Sequence, residues 1–512
     1  MPEEKNTSGI YTSRAVDLPT TQQLREISAD LGFNLTDDQL EQHKENMKGI
    51  EQQYQMLEEL VEPTLEVKFP RTPGQKPKPE ENPYNAWARC LDIKGSEDGK
   101  LRGKTVAIKD NIAVAGVPMT NGSKTFEGYI PEFDATVVTR VLEAGGRILG
   151  KAVCEDLCFT SNSFTSISGP VTNPRDNTRT TGGSSSGCAA LVSGGVVDLA
   201  IGGDQGGSIR VPSSWCGIVG LKPTYGLVPY SGACSIETTI DHLGPMAKTV
   251  DDCALLLEVL AGHDGFDPRQ REMDIPEYTK LIDCGVKGLK IGFVEEGFAI
   301  CESDVVNVVK ATAEVWRKAG ATVEDTSIPM HTYGKPISST QATEGTYLQG
   351  FIGANIGNKG FYPNSMLEHF KKHVKLRPYD LPPTYQSMCL WGEYTKRNYQ
   401  SKHYGKAQNL TIALTAAYDK ALETYDVIVM PTLPYKAPKL PDVDAKLSVL
   451  LDEASSFTTN TFPFDATGHP AISINAGFSE GLPIGVMIVG RHYDDVMILR
   501  VAKALERNLT KT

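Results

Sequence analysis

Apolar residues repeat with a helical period near the start of the chain. Leu24, Ile27 and Leu31 fall at i, i+3 and i+7, and Gly32 ends the helix they predict. The four residues from Thr36 to Gln39 read as a capping box that opens a second helix. There Leu40, Met47, Tyr54 and Val61 recur every seven residues, with Ile50 and Leu57 between them and His43 interrupting the set. Such a seam packs either on the chain's own body or on a second copy. The prolines of 62–83 lack backbone donors and favour extended backbone, which predicts a linker. The expected domains are a helical region over 1–62, a Pro-rich linker over 63–83 and a catalytic body over 84–512.

In the body the pattern changes. Short apolar runs alternate with helical stretches: a strand over 105–108 that runs into Lys109, a helix over 135–144, a strand over 147–151. The rhythm returns at 289–293, 304–319 and 322–324, and further strands are predicted at 425–430, 471–474 and 484–489 before a helix near 496–507. This is the pattern of an α/β body. The region 330–410, richer in tyrosine and glycine, is read as helices and loops that cover the site.

Charge and composition narrow the function classes. With 51 Lys and Arg against 63 Asp and Glu, the net charge of −12 disfavours a nucleic-acid surface, so no nucleic-acid partner is expected. No run of about 18 apolar residues exists to span a bilayer, and the first residues hold no apolar signal core. A cytoplasmic protein without a membrane partner follows as the expectation. The ten cysteines are scattered and fit no disulfide framework. Cys154 and Cys158 lack further ligands at metal spacing and read as free core thiols. His369 and His373 have zincin spacing without the glutamate, and read as a solvated helix face. No metal and no cofactor are expected.

The chemistry concentrates in 181–212, which holds two clusters, Gly182-Gly183-Ser184 and Gly206-Gly207-Ser208. A helix over 185–193 and a strand over 196–201 fit between them, with 202–208 as a loop, so both serine loops reach one sheet edge. Gly183 to Gly187 also matches a nucleophile elbow centred on Ser185, but that motif needs a strand before it, and 173–181 reads as polar loop. Neither cluster has a phosphate-binding ending. A lysine at the end of an apolar strand, as Lys109 is, either emerges into solvent or sits desolvated and serves as a neutral base.

GGSSSG, followed by GGDQGGSIRVP and preceded by VAIKDN, resembles the amidase signature family. Echoes lie at 217–223, 241–245, 429–432 and 468–470, and the resemblance runs from about residue 82 onward. Asp204-Gln205 and the run from Phe464 to His469 look most like amidases of nitrile metabolism, which also resemble this chain in an N-terminal helical extension. The resemblance implies a large mixed twisted β-sheet covered by helices on both faces. It also implies a Ser–cis-Ser–Lys triad: Ser208 as nucleophile, Ser184 as the bridging serine on a cis peptide, Lys109 as base. The oxyanion is then held by the amides of Gln205, Gly206, Gly207 and Ser208, while Phe159 and the Gln205 side chain stand by position near an acyl pocket. Asp204 and Arg210 are read as braces of the loop. The reaction implied is hydrolysis of small carboxylic amides, with carbamates such as urethane as an extension, to acid and ammonia through a seryl acyl-enzyme. A glutamine-hydrolysing subunit of tRNA amidotransferases shares the signature, but the acidic balance and the helical extension count against it. A homodimer through the heptad seam is the expected assembly.

Overall fold

In the computed structural model, which describes residues 15–352, 359–442, 445–452 and 457–509, the chain forms two compact units, 1–64 and 65–512. Residues 1–14 of the predicted helical region and 353–358 of the predicted cover lie outside the described residues.

The first unit is a pair of helices, Thr21–Asp30 and Asp37–Glu58. Each starts with a capping box, Thr20 with Gln23 and Thr36 with Gln39, so two otherwise unpaired amides are satisfied at each start. Gly32, at φ +72°, supplies the left-handed residue that ends the first helix. Leu24 and Leu40 are buried, whereas Ile50, Tyr54 and Leu57 are exposed. The second helix stops at Glu58, so the expected seam loses its last member: Val61 lies beyond it and is 96% exposed. Pro63 biases Glu62 away from helical backbone, which removes the next turn.

The second unit is organised by strands, the central ones of which bury both faces. They are β1 (Trp87–Lys94), β2 (Thr105–Lys109), β3 (Arg147–Ala152), β4 (Thr172–Asn173), β5 (Asp176–Thr180), β6 (Leu199–Asp204), β7 (Val219–Lys222), β8 (His242–Ala247), β9 (Lys290–Val294), β10 (Thr322–Thr326), β11 (Val427–Pro431), β12 (Ala471–Ser479) and β13 (Leu482–Val489). Eleven form one sheet in the order β1-β3-β2-β6-β8-β7-β12-β13-β11-β9-β10. It is mixed: β2 pairs in parallel with β3 and β6, while β8, β7, β12 and β13 pair antiparallel in succession. Alternation sets the two faces. Val106, Ile108, Leu199 and Ile201 join a core with the helices Val250–Leu260, Ser303–Lys318 and Asp495–Leu509. Ala107 and Ala200 turn the other way, toward the helix Ser186–Ser193. Small residues on that side let the helix approach closely.

Three expectations are corrected. The strand placed over 196–201 is β6, three residues later, and continues through Gly202 and Gly203 into Asp204. A Cβ on Gly202 would lie 2.8 Å from Met246 Sδ and 2.9 Å from Ile209, so glycine permits the strand to pass where a loop was expected. The polar stretch 173–181 is largely a two-stranded ribbon of β4 and β5, its turn held by Arg175 N–H donating to Asn173 Oδ1 (2.9 Å). His369 and His373 do not form a solvated face. His369 packs 5.4 Å from the Tyr129 ring, and His373 Nε2 lies 2.9 Å from Asp380 Oδ2.

Residues from Leu65 onward belong to the second unit. Leu65 is buried with Phe126 and Tyr129, Arg71 pairs with Asp134, and Gln75 exchanges backbone hydrogen bonds with Cys90. The remainder of 330–410 is mainly helical, with Gly334–Gly345, Asn364–Leu376 and Pro383–Tyr399, followed by Lys402–Thr424. Among the described residues no helix is long and apolar enough to cross a membrane.

Candidate active site

Because β2 and β6 are parallel neighbours, their carboxyl ends reach the same edge. β2 ends in Lys109, and β6 ends in Asp204, followed by the loop Gln205 to Ser208. The first serine loop enters the same place from the start of the helix Ser186–Ser193. Lys109 Nζ donates to Ser184 Oγ at 2.8 Å and to the Gly203 carbonyl at 3.1 Å, and the Lys109 and Ser184 side chains are fully buried. The Gly183–Ser184 peptide is cis. Ser185 N–H donates to the Ser208 carbonyl (3.2 Å), which ties the two serine loops together.

Lys109 has no carboxylate ion pair among the described residues. Its sequence neighbour Asp110 is taken by Lys151 at 3.0 Å, by Thr120 Oγ1 at 2.6 Å and by Thr120 N–H at 2.9 Å. The lysine nitrogen therefore faces a hydroxyl and a carbonyl, with the Cys158 thiol close by.

The loop Gln205 to Ser208 is braced by a buried ion network. Asp204 accepts from the amides of Gly207 (2.6 Å) and Ile209 (3.0 Å) and from Arg210 Nε and Nη2 (3.0 Å each). Arg210 Nη2 also reaches Asp465 Oδ2 at 2.7 Å, and its Nη1 donates to the Thr461 carbonyl at 2.8 Å. Burial alone pushes Asp204 up, but the guanidinium and the donated hydrogen bonds hold it well below the carboxylate range. Asp465 moves the other way, raised by burial and by Asp204. Arg210→Met is expected to cost about 3–5 kcal/mol, since it strands a buried carboxylate, and denaturant unfolding measures it.

That brace has a consequence for the expected oxyanion site. The Gly207 amide is already committed to Asp204, whereas the amides of Gly206 and Ser208 have no acceptor among the described residues. Gly207 itself sits at φ +126°, and a Cβ there would lie 2.4 Å from Thr461 Oγ1. Only glycine fits.

Ser208 opens on a cavity of about 420 Å³. Phe159 and Gln205 both line it, as does Cys158. The far walls are Ile236, Ile240, Ala342, Met388, Trp391 and Phe462. Gln205 Nε2 donates to Tyr230 Oη at 2.8 Å, and its buried Oε1 has no partner among the described residues. Ser185 does not line the cavity. Its hydroxyl donates to the Gly203 carbonyl (3.1 Å) and accepts from Gly203 N–H (3.2 Å). A strand, β5, does precede the Gly183 to Gly187 motif, but in the separate ribbon; it is the commitment of the hydroxyl that removes Ser185 as an elbow nucleophile.

Residues 84–499 match the family model described as Amidase. The chain belongs to the amidase signature family. It is an amidase-type hydrolase. A curated relative described as an enantioselective amidase from Rhodococcus rhodochrous is 44% identical, with 94% of this chain and 95% of that one covered. One component of the glutamyl-tRNA(Gln) amidotransferase of Methanosarcina acetivorans is 36% identical over 82% of this chain and 87% of its own length. The crystal structure of the same amidotransferase component from Thermotoga maritima superposes with a TM-score of 0.69 at 32% identity, covering 83% of this chain and 88% of that one.

The amidase signature motifs pointed to Lys109, Ser184 and the 205–208 loop. They gave no sign of the cavity's far wall. Ile236 and Ile240 lie before β8, and Met388 and Trp391 lie on the helix Pro383–Tyr399, far away in sequence. Cys158, expected to be an inert core thiol, is buried and free but forms part of the cavity wall. Asp465 lies inside the Phe464 to His469 run that carries part of the family resemblance, and that run was the available signal for its place in the brace.

Proposed function

We propose that the protein hydrolyses small, uncharged carboxylic amides through an acyl-enzyme on Ser208. The hydrogen bond from Lys109 Nζ to Ser184 Oγ, beside a serine that opens on an uncharged cavity, carries this reading. The Ser208 hydroxyl attacks the amide carbonyl as its proton passes to Ser184 Oγ, whose own proton passes to Lys109. The amides of Gln205, Gly206 and Ser208 hold the oxyanion; Gly207 supports the loop through Asp204. Collapse expels ammonia, which receives the relayed proton. Water then attacks the ester, with the same relay as base, and releases the acid.

Substrate class follows from the lining. Its described residues are apolar or neutral, and none carries a charge. Free glutamine would bring an ammonium and a carboxylate into that space without a counter-ion, which is costly. This favours aliphatic and aryl amides, in line with the relative described as an enantioselective amidase, over the glutaminase role of the tRNA amidotransferase enzymes. Carbamates such as urethane present the same carbonyl and fit as an extension. The test is ammonia release from a panel of neutral amides against glutamine: kcat/KM for the best neutral amide is expected to exceed that for glutamine by about 10³ or more, the size of an unpaired buried charge. Equal rates, or turnover of glutamine alone, reverse the assignment.

The helical region 1–62 is proposed to pair two copies through Ile50, Tyr54 and Leu57, joined by 63–83 to the catalytic body. A cytoplasmic setting suits the ten free thiols.

A further inference from the structure

Asp419, His469 and His492 converge from three separate elements. Asp419 lies on the helix Lys402–Thr424, His469 just before β12, and His492 just after β13. One ligand atom from each lies within 4.8 Å of the other two. His469 Nε2 is 3.1 Å and His492 Nδ1 3.9 Å from the same oxygen, Asp419 Oδ1.

The outer sides of both rings are fixed by one residue. His492 Nε2 lies 2.8 Å from the Thr467 carbonyl, which can only accept, so Nε2 carries a hydrogen, and in the neutral ring Nδ1 presents its lone pair toward Asp419. In the neutral ring that nitrogen and a carboxylate oxygen face each other across 3.9 Å. His469 Nδ1 lies 2.9 Å from Thr467 Oγ1, a hydroxyl that can donate to it, and Nε2 donates to Asp419 Oδ1 at 3.1 Å, a hydrogen bond that a bound ion would replace. Fixing the non-ligating nitrogen is how proteins orient metal-bound imidazoles. Access is graded: His469 is fully buried, His492 is about one-third exposed and Asp419 is 53% exposed, leaving an open side for water.

We propose that Asp419, His469 and His492 bind a divalent transition-metal ion, zinc above all. Two imidazoles and one carboxylate leave a fourth tetrahedral position for water, and bonds of about 2.0–2.2 Å put donors about 3.3–3.6 Å apart, between the 3.1 Å and 3.9 Å that separate the two rings from Asp419 Oδ1. The rings, 4.0 Å apart at their centroids, splay modestly to share the ion. The role is structural. The ion ties the helix Lys402–Thr424 to the ends of β12 and β13, and Thr467 closes the short helix Pro463–Thr467 whose Asp465 holds Arg210. The support of the nucleophile loop is thereby stiffened from behind.

The test uses the full chain, stripped with a chelator and titrated with zinc chloride by calorimetry, beside Asp419→Asn and His492→Gln. One zinc per chain is expected, with at least about tenfold weaker binding in either variant, and a zinc-dependent rise in Tm that both variants lose. Cobalt(II) in place of zinc is expected to give a d–d spectrum without thiolate charge transfer, which separates this site from cysteine binding. Equal zinc binding in the wild type and both variants overturns the proposal. So does a thiolate signature, or an absence of binding at millimolar zinc, which would make the trio an ordinary hydrogen-bonded cluster. The partly exposed positions of Asp419 and His492 keep the variants foldable.

Discussion

Ser208→Ala is expected to lower kcat by about 10⁵–10⁶-fold while leaving the fold intact. The size comes from the chemistry: without the hydroxyl there is no acyl-enzyme, and binding and the oxyanion amides alone retain only a small part of the acceleration. The fold survives because the Ser208 hydroxyl has no hydrogen-bond partner among the described residues, while the loop's geometry rests on Asp204 and Arg210. Ser185→Ala should behave in the opposite way. It breaks two hydrogen bonds to Gly203, each worth about 0.5–1.5 kcal/mol, and should keep most of its activity per folded molecule. A serine-directed phosphonate gives an independent readout by mapping its adduct with mass spectrometry. Modification of Ser208 is the expected result. An adduct on Ser185, or an S208A variant with near-normal turnover, removes Ser208 from the chemistry.

The contrast between these two serines explains what the sequence could reveal. Periodicity located the strand that delivers Lys109, because Val106 and Ile108 alternate with Ala107 across a sheet with two buried faces. It misplaced β6 because two glycines look like a loop unless the crowding around them is known. Only the packed structure supplies Met246 and Ile209 at under 3 Å from a Cβ on Gly202. The same blindness applied to side-chain commitment. Three adjacent serines are equivalent as letters, and only hydrogen bonds separate Ser184, which accepts from Lys109, from Ser185, which holds Gly203. The cavity wall and the Asp419–His469–His492 cluster were invisible for a further reason. Their members come from segments tens to hundreds of residues apart, and no local spacing encodes that meeting.

Lys109→Met is the decisive variant for the relay. It keeps most of the buried volume, so packing loss is small compared with Lys109→Ala, and it removes only the nitrogen that meets Ser184 Oγ at 2.8 Å. Loss of a positioned general base lowers turnover by about 10²–10⁴-fold. In the variant the proton of Ser208 must leave by way of hydroxide, so the residual rate should climb about tenfold per pH unit across the alkaline range. The wild type, with its base in place, should not share that slope. A bracing role for Lys109 predicts something else: reduced stability and a lower rate whose pH profile keeps the wild-type shape, because the base would still be present elsewhere. The two outcomes separate cleanly in one titration of kcat/KM. A flat profile in a still-active Lys109→Met enzyme would move the base to another residue. The hydrogen bonds argue against that result, since Lys109 is the one cation on Ser184 among the described residues, and the neighbouring carboxylate that could have neutralised it is held by Lys151 and Thr120.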